Sequence, residues 1–185
     1  MMRASGILLP ISSIPSNYGI GCFSKEAYAF VDQLAEAGQK YWQILPLGPT
    51  GYGDSPYQSF STFSLLRKAY RRFYQMDGKE KELQLIREEM EAYEKEQGFW
   101  LADYCLYMAV KDSLEGISWN QWPEDLKTRK PEALAKAREE LKEDISFYAF
   151  QQFWFYRQWN RLKKYANDRG IKIIGDLPIY LAFDG

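Results

Sequence analysis

Tyr52, Asp54, Ser55, Tyr57 and Gln58 fall in one short stretch, YGDSPYQSFS at residues 52–61. A carboxylate, a hydroxyl and a primary amide, which between them accept and donate hydrogen bonds, stand beside two tyrosines with apolar ring faces and polar tips. A pyranose has an apolar face of C–H groups inside a rim of hydroxyls, and binding one takes this set of groups. The residues Gly53, Asp54, Ser55 and Pro56 also spell a tight turn, and spacing alone leaves both readings open. A second candidate is Asp176 in GDLPIY, residues 175–180. At a strand's carboxyl end it can accept bonds from sugar hydroxyls or cap its own loop. Glycoside chemistry needs a pair of carboxyl groups, and neither Asp54 nor Asp176 has an evident partner in sequence.

What is absent narrows the chemistry. The 185 residues contain no histidine, which removes Ser-His-Asp and Cys-His nucleophiles and imidazole-based zinc sites within this sequence. Acid–base work falls to Asp, Glu, Tyr or Lys. Cys22 and Cys105 are far apart and form no CxxC pair, so both read as buried free thiols. With 24 basic and 25 acidic residues the formal net charge is −1, which carries no electrostatic footprint for nucleic acid or an anionic membrane. No apolar run reaches the length of a membrane span, and the amino terminus lacks the long apolar region of a secretory signal. A cytoplasmic protein is the expectation. The 14 Tyr, 11 Phe and 6 Trp fit either ring-filled helix interfaces or a sugar-stacking surface.

The elements that must hold these residues read as α/β. SGILLP (5–10) and YWQILPL (41–47) are apolar runs suited to buried strands. Between them Ser24 offers an N-cap, Ala27, Phe30, Val31 and Leu34 form one apolar helix face, and Gly38 is placed to stop the helix. Strand, helix, strand implies parallel pairing. The loop bearing Tyr52 and Tyr57 follows the second strand, and in parallel α/β folds such loops carry the active site. Residues 64–170 read as mainly helical. They include a charged stretch (79–97) with a solvated face, an apolar helix (99–114), a loop with Trp119 and Trp122, a helix opening at Pro131 and an aromatic helix from Ser146 to Asn167. Gly170 ends the last, and KIIGDLPIY (172–180) reads as a third strand.

Residues 38–61, GQKYWQILPLGPTGYGDSPYQSFS, resemble the signature of the 4-alpha-glucanotransferases, the amylomaltases or disproportionating enzymes. SSIPSNYGIG (12–21), WNQWPEDL…PEALAKAREEL and FWFYRQWNRLKKYANDRGIKIIGDLPIY are similar to the same family. The resemblance implies a (β/α)₈ barrel with helical inserts, in which residues 1–63 are the first βαβ unit and substrate loop, 64–170 an insertion and 171–185 the third strand and its loop. It implies transfer of an α-1,4-glucan segment to glucose or maltodextrin by a retaining, double-displacement route, with no metal or organic cofactor. Tyr57 matches the tyrosine that stacks near the cleaved sugar, and Tyr52 an aromatic that contacts glucan. Asp54 and Ser55 match groove-lining positions, and Asp176 matches an aspartate that contacts sugar hydroxyls.

Two departures qualify this. The family's nucleophilic Asp, acid/base Glu and stabilising Asp lie on strands beyond Gly185, so no catalytic residue is assigned here and the chain alone is expected to be inactive. FSTFS also runs straight into LLRKAYRRF, as though a block were missing near Ser64. Three strands leave a sheet with an open edge, so low stability and aggregation are expected. Two other readings remain: a non-catalytic maltodextrin-binding module, and a helical interaction protein docking through residues 65–170.

Overall fold

The computed structural model describes residues 3–17, 20–47, 63–76 and 81–176. They form a mostly helical α/β structure with one three-stranded parallel sheet. The strands are β1 (Gly6–Leu8), β2 (Tyr41–Gln43) and β3 (Lys172–Ile174), in spatial order β1-β2-β3. Trp42 is opposite Ile7 on one side and Ile173 on the other. The helices are α1 (Lys25–Glu36), α2 (Phe63–Gln75), α3 (Lys81–Glu96), α4 (Gly98–Ser113), α5 (Glu124–Lys127), α6 (Pro131–Glu140) and α7 (Lys142–Asp168).

The chain divides into two compact units. The sheet unit contains the strands, α1 and the part of α7 from Tyr156 onward. Its core is Ala27, Val31 and Leu34 of α1, Trp42 of β2, Leu162 and Ala166 of α7, and Ile171. The expected apolar stripe of α1 is therefore the buried one, with Phe30 packed edge-on against Trp42 at 5.1 Å. Ser24 stands at the N-cap but makes no side-chain capping bond; its hydroxyl donates to Glu26 instead. Gly38 takes φ 70° as the C′ residue, and the Gln39 N–H bonds the Leu34 carbonyl at 3.0 Å. Tyr165 donates its hydroxyl to Asp32 at 3.0 Å, and the Arg169 guanidinium lies 3.4 Å from the Tyr165 ring centroid, tying α7 to α1.

The strands are shorter than the apolar runs suggest, and β1 is exposed rather than buried. An edge strand has a neighbour on one side only, and Leu8 remains 56% exposed. In the middle strand alternation decides burial: Trp42 faces the helices and is fully buried, whereas Tyr41 and Gln43 point to the other face.

The helical unit contains α2 through α6 and α7 up to Phe155. Its larger core is aromatic: Tyr70 and Phe73 of α2 pack against Phe147, Phe150 and Phe153 of α7. Tyr70 meets Phe147 and Phe150 edge-on at 5.6 and 5.5 Å, the geometry that ring quadrupoles favour. The charged helix α3 buries a stripe of Leu83, Met90 and Tyr93 beneath its solvated face. Two boundaries differ from expectation. The tryptophan loop is ordered as a 3₁₀ turn (Trp119–Gln121) followed by α5. The helix from Pro131 stops at Glu140 and α7 begins at Lys142. Leu141, between them, packs against both clusters of this unit, and the break sends Ala137 into one cluster and Phe147 into the other.

Candidate functional site

Parallel strands put all their carboxyl ends at one end of the sheet. The ladder continues past the strands there: the Leu9 N–H donates to the Gln43 carbonyl and the Ile44 N–H to the Ile174 carbonyl, both at 3.0 Å. The Trp42 indole N–H donates to the Leu9 carbonyl at 2.9 Å. The chain leaves β2 at this end through Ile44–Leu47, and it leaves β3 at the same end through Gly175 and Asp176. Asp176 is exposed, two residues past β3. Tyr52, Asp54, Ser55 and Tyr57 lie outside the described residues, as does the loop that carries them.

Tyr41 and Gln43 lie on the face of the sheet opposite Trp42. A cavity of about 270 Å³ is lined there by Gly6, Ile7, Leu8, Tyr41, Gln43 and Ile174. A parallel sheet is usually covered on both faces; among the described residues this face carries a phenol, an amide and aliphatic side chains. The sequence reading took YWQ as uniformly buried and did not mark Tyr41 or Gln43. The signal was the period-2 alternation, which sets these two opposite Trp42.

In the sheet unit the pKa of Tyr165 is raised by burial and by its hydrogen bond to Asp32, and that of Glu26 is lowered by its hydrogen bond with Ser24; in the helical unit the shifts owe most to burial. The Cys105 thiol is pushed up to about 12 by burial and by the nearby Glu94 charge. Tyr148 is raised by burial and by its hydrogen bond to Asp112 at 2.5 Å. Tyr104 and Glu94 are raised mainly by burial. Among the described residues no group of three or more Cys, Asp or Glu side chains is placed to hold a metal ion, and no helix is long and apolar enough to cross a membrane. Cys105 is buried and Cys22 only half-buried, both as free thiols.

Comparison with known proteins places this arrangement in context. The 4-alpha-glucanotransferase family profile matches residues 9–66 and 63–185, two segments that meet at the position where the sequence reading marked a missing block. The 4-alpha-glucanotransferase of Clostridium butyricum is 42% identical, over 94% of this chain and 43% of its own length. That of Thermus thermophilus is 40% identical, over 98% of this chain and 43% of its own length. The chain thus spans less than half the length of these relatives. Among solved structures, the amylomaltase from Streptococcus agalactiae in complex with acarbose superposes with a TM-score of 0.80 at 36% identity, covering 99% of this chain and 45% of that one.

Proposed function

This chain belongs to the 4-alpha-glucanotransferase family, and we propose that it supplies one wall of the glucan groove in a transfer of α-1,4-glucan segments to glucose or maltodextrin. β1, β2 and β3 are the first three strands of a (β/α)₈ barrel, and residues 64–170 are a helical insertion between the second and third. The exposed face of the sheet is the barrel interior, where side chains of further strands would pack.

Tyr57 stacks on the apolar face of the sugar at the cleavage point, and Tyr52 contacts a further glucose unit. Asp54 and Ser55 line the groove. Asp176 accepts hydrogen bonds from sugar hydroxyls, which as charge-assisted bonds are the stronger kind. Transfer is by double displacement with retention, and its two carboxyl groups sit on strands beyond these residues. Residues 1–185 alone therefore bind glucan without transferring it. No cofactor takes part.

One observation carries this reading. The parallel order β1-β2-β3 sends the chain out of β2 toward the Tyr57 loop, and out of β3 toward Asp176, from one end of the sheet. The acarbose complex of the Streptococcus agalactiae relative supports a sugar-like ligand for the groove. The test has two arms. Chromatography after incubation of the 185-residue chain with maltotriose should show neither glucose nor longer maltodextrins. Calorimetry with maltoheptaose should show saturable binding that Tyr57→Ala weakens. Transfer products, or binding indifferent to Tyr57, would overturn it.

A further inference from the structure

Gln43 is the last residue of β2, and its side chain stands on the face opposite Trp42, where it lines the cavity with Leu8, Tyr41 and Ile174. We infer that its amide binds the glucan, exchanging hydrogen bonds with hydroxyl groups of one glucose unit at the carboxyl end of the sheet. This contact rests on the function proposed above and adds a strand residue to that groove.

The backbone holds the amide in place. The Gln43 carbonyl accepts the Leu9 N–H on one side, and the next residue, Ile44, donates to the Ile174 carbonyl on the other, both at 3.0 Å. Gln43 is level with Leu8 of β1 and Ile174 of β3, so both neighbouring strands fix its height. Trp42, directly before it, is buried against α1 and α7. A side chain on a strand pinned from both sides presents its end group with less freedom than one on a loop. Its place along the strand also fits. Gln43 stands at the end of β2 from which the chain leaves toward Tyr57, the same end at which Asp176 follows β3. Tyr41 and Lys172, which pair across β2 and β3, lie one inward step nearer the amino ends.

Chemistry singles out the amide. Inward positions of a barrel are dominated by branched aliphatic residues, and Leu8 and Ile174 follow that rule. Gln43 breaks it between them. Its side chain carries an acceptor oxygen and two N–H donors, and among the described residues it forms no hydrogen bond. Half-buried between aliphatic neighbours, an amide is costly to cover without partners. A sugar hydroxyl both donates and accepts, so one hydroxyl or two adjacent ones satisfy both halves of the amide. An apolar ligand would leave it unpaired.

The test is an NMR titration of the isotope-labelled full chain with maltoheptaose, reading the side-chain NH₂ signals of Gln43, assigned by their loss in Gln43→Leu. A saturable shift is expected that follows the same curve as calorimetric binding. Gln43→Leu, which removes the polar atoms, should bind about fivefold more weakly with a melt no lower than that of the wild type. A Gln43 signal that stays still at saturation, or undiminished affinity in Gln43→Leu, would overturn the contact. Should Gln43→Leu fold poorly, Gln43→Met and the wild-type signal decide in its place. No binding by the wild type would overturn both this contact and the groove. Binding weakened by Tyr57→Ala with a still Gln43 signal would overturn this contact alone. A Gln43 shift with binding indifferent to Tyr57 would keep the contact and count against the groove proposed above.

Discussion

The indole nitrogen of Trp42 in β2 lies 2.9 Å from the carbonyl oxygen of Leu9, just past β1. This one bond ties two parallel strands together at the end from which the candidate sugar-binding segments emerge. Trp42 is also fully buried against α1 and α7, so its ring and its N–H act at different places. Trp42→Phe keeps most of the ring and leaves the Leu9 carbonyl without this donor, at a cost of about 1–3 kcal/mol. Trp42→Ala also opens a cavity and costs about 3–5 kcal/mol. Urea unfolding of the sheet unit should rank wild type above Phe above Ala. A Phe variant as stable as wild type would remove the bond from the account.

Gly6 and Gly38 make a contrasting pair. A Cβ on Gly6 would lie 2.6 Å from the Tyr41 Cβ and carbonyl oxygen, so Gly6→Ala must push β1 away from β2. Gly38 has open space around it but φ 70°, so Gly38→Ala carries only backbone strain, roughly 1–2 kcal/mol. Both substitutions should lower the melting temperature. Gly6→Ala alone should also disturb the amide signals of β1 and β2; undisturbed strands would show that the close approach is not needed.

The helical unit should lose stability in mild alkali. Burial raises the Cys105 thiol from 9.0 to about 12 and raises Tyr148 above its ordinary 10.0. In both, the folded chain holds its proton where the unfolded chain has released it. That contribution is complete below the unfolded value and lost as pH rises toward the folded one. Thermal melts should therefore fall from pH 9 upward, and Cys105→Ala should flatten the slope between pH 9 and 10, before tyrosine titrates. An unchanged slope in that variant would contradict the assignment.

Asp176 offers a separation of binding from folding. It is exposed two residues past β3, and Asp176→Asn keeps the shape of the side chain while removing its charge, so the melt of the variant is recorded beside its binding. If it accepts hydroxyl bonds, the variant should bind maltoheptaose about tenfold more weakly. Calorimetry on the variant decides this, and undiminished affinity would exclude the role.

The helix α1 was legible because its signals agree: Ala27, Val31 and Leu34 share a face, and Gly38 stops the chain in a conformation glycine takes freely. The break at Leu141 was not. Nothing in PEALAKAREELKEDI disfavours a continuous helix, and the stop at Glu140 follows from Leu141 lodging between two clusters. Strand lengths were overread because an apolar run does not say how much of it will pair. Asp176 lies after β3, as its place in the sequence implied, whereas the outward position of Tyr41 and Gln43 was written only in their alternation with Trp42.

The central claim is that the loop after β2 and the segment after β3 hold one sugar between them. A crystal structure of the chain with maltotriose or acarbose measures this directly. The account predicts a glucose-like ring stacked on Tyr57 with its hydroxyls within hydrogen-bond distance of the Asp176 carboxylate. Ligand density touching Tyr57 with Asp176 on an unrelated face would contradict it.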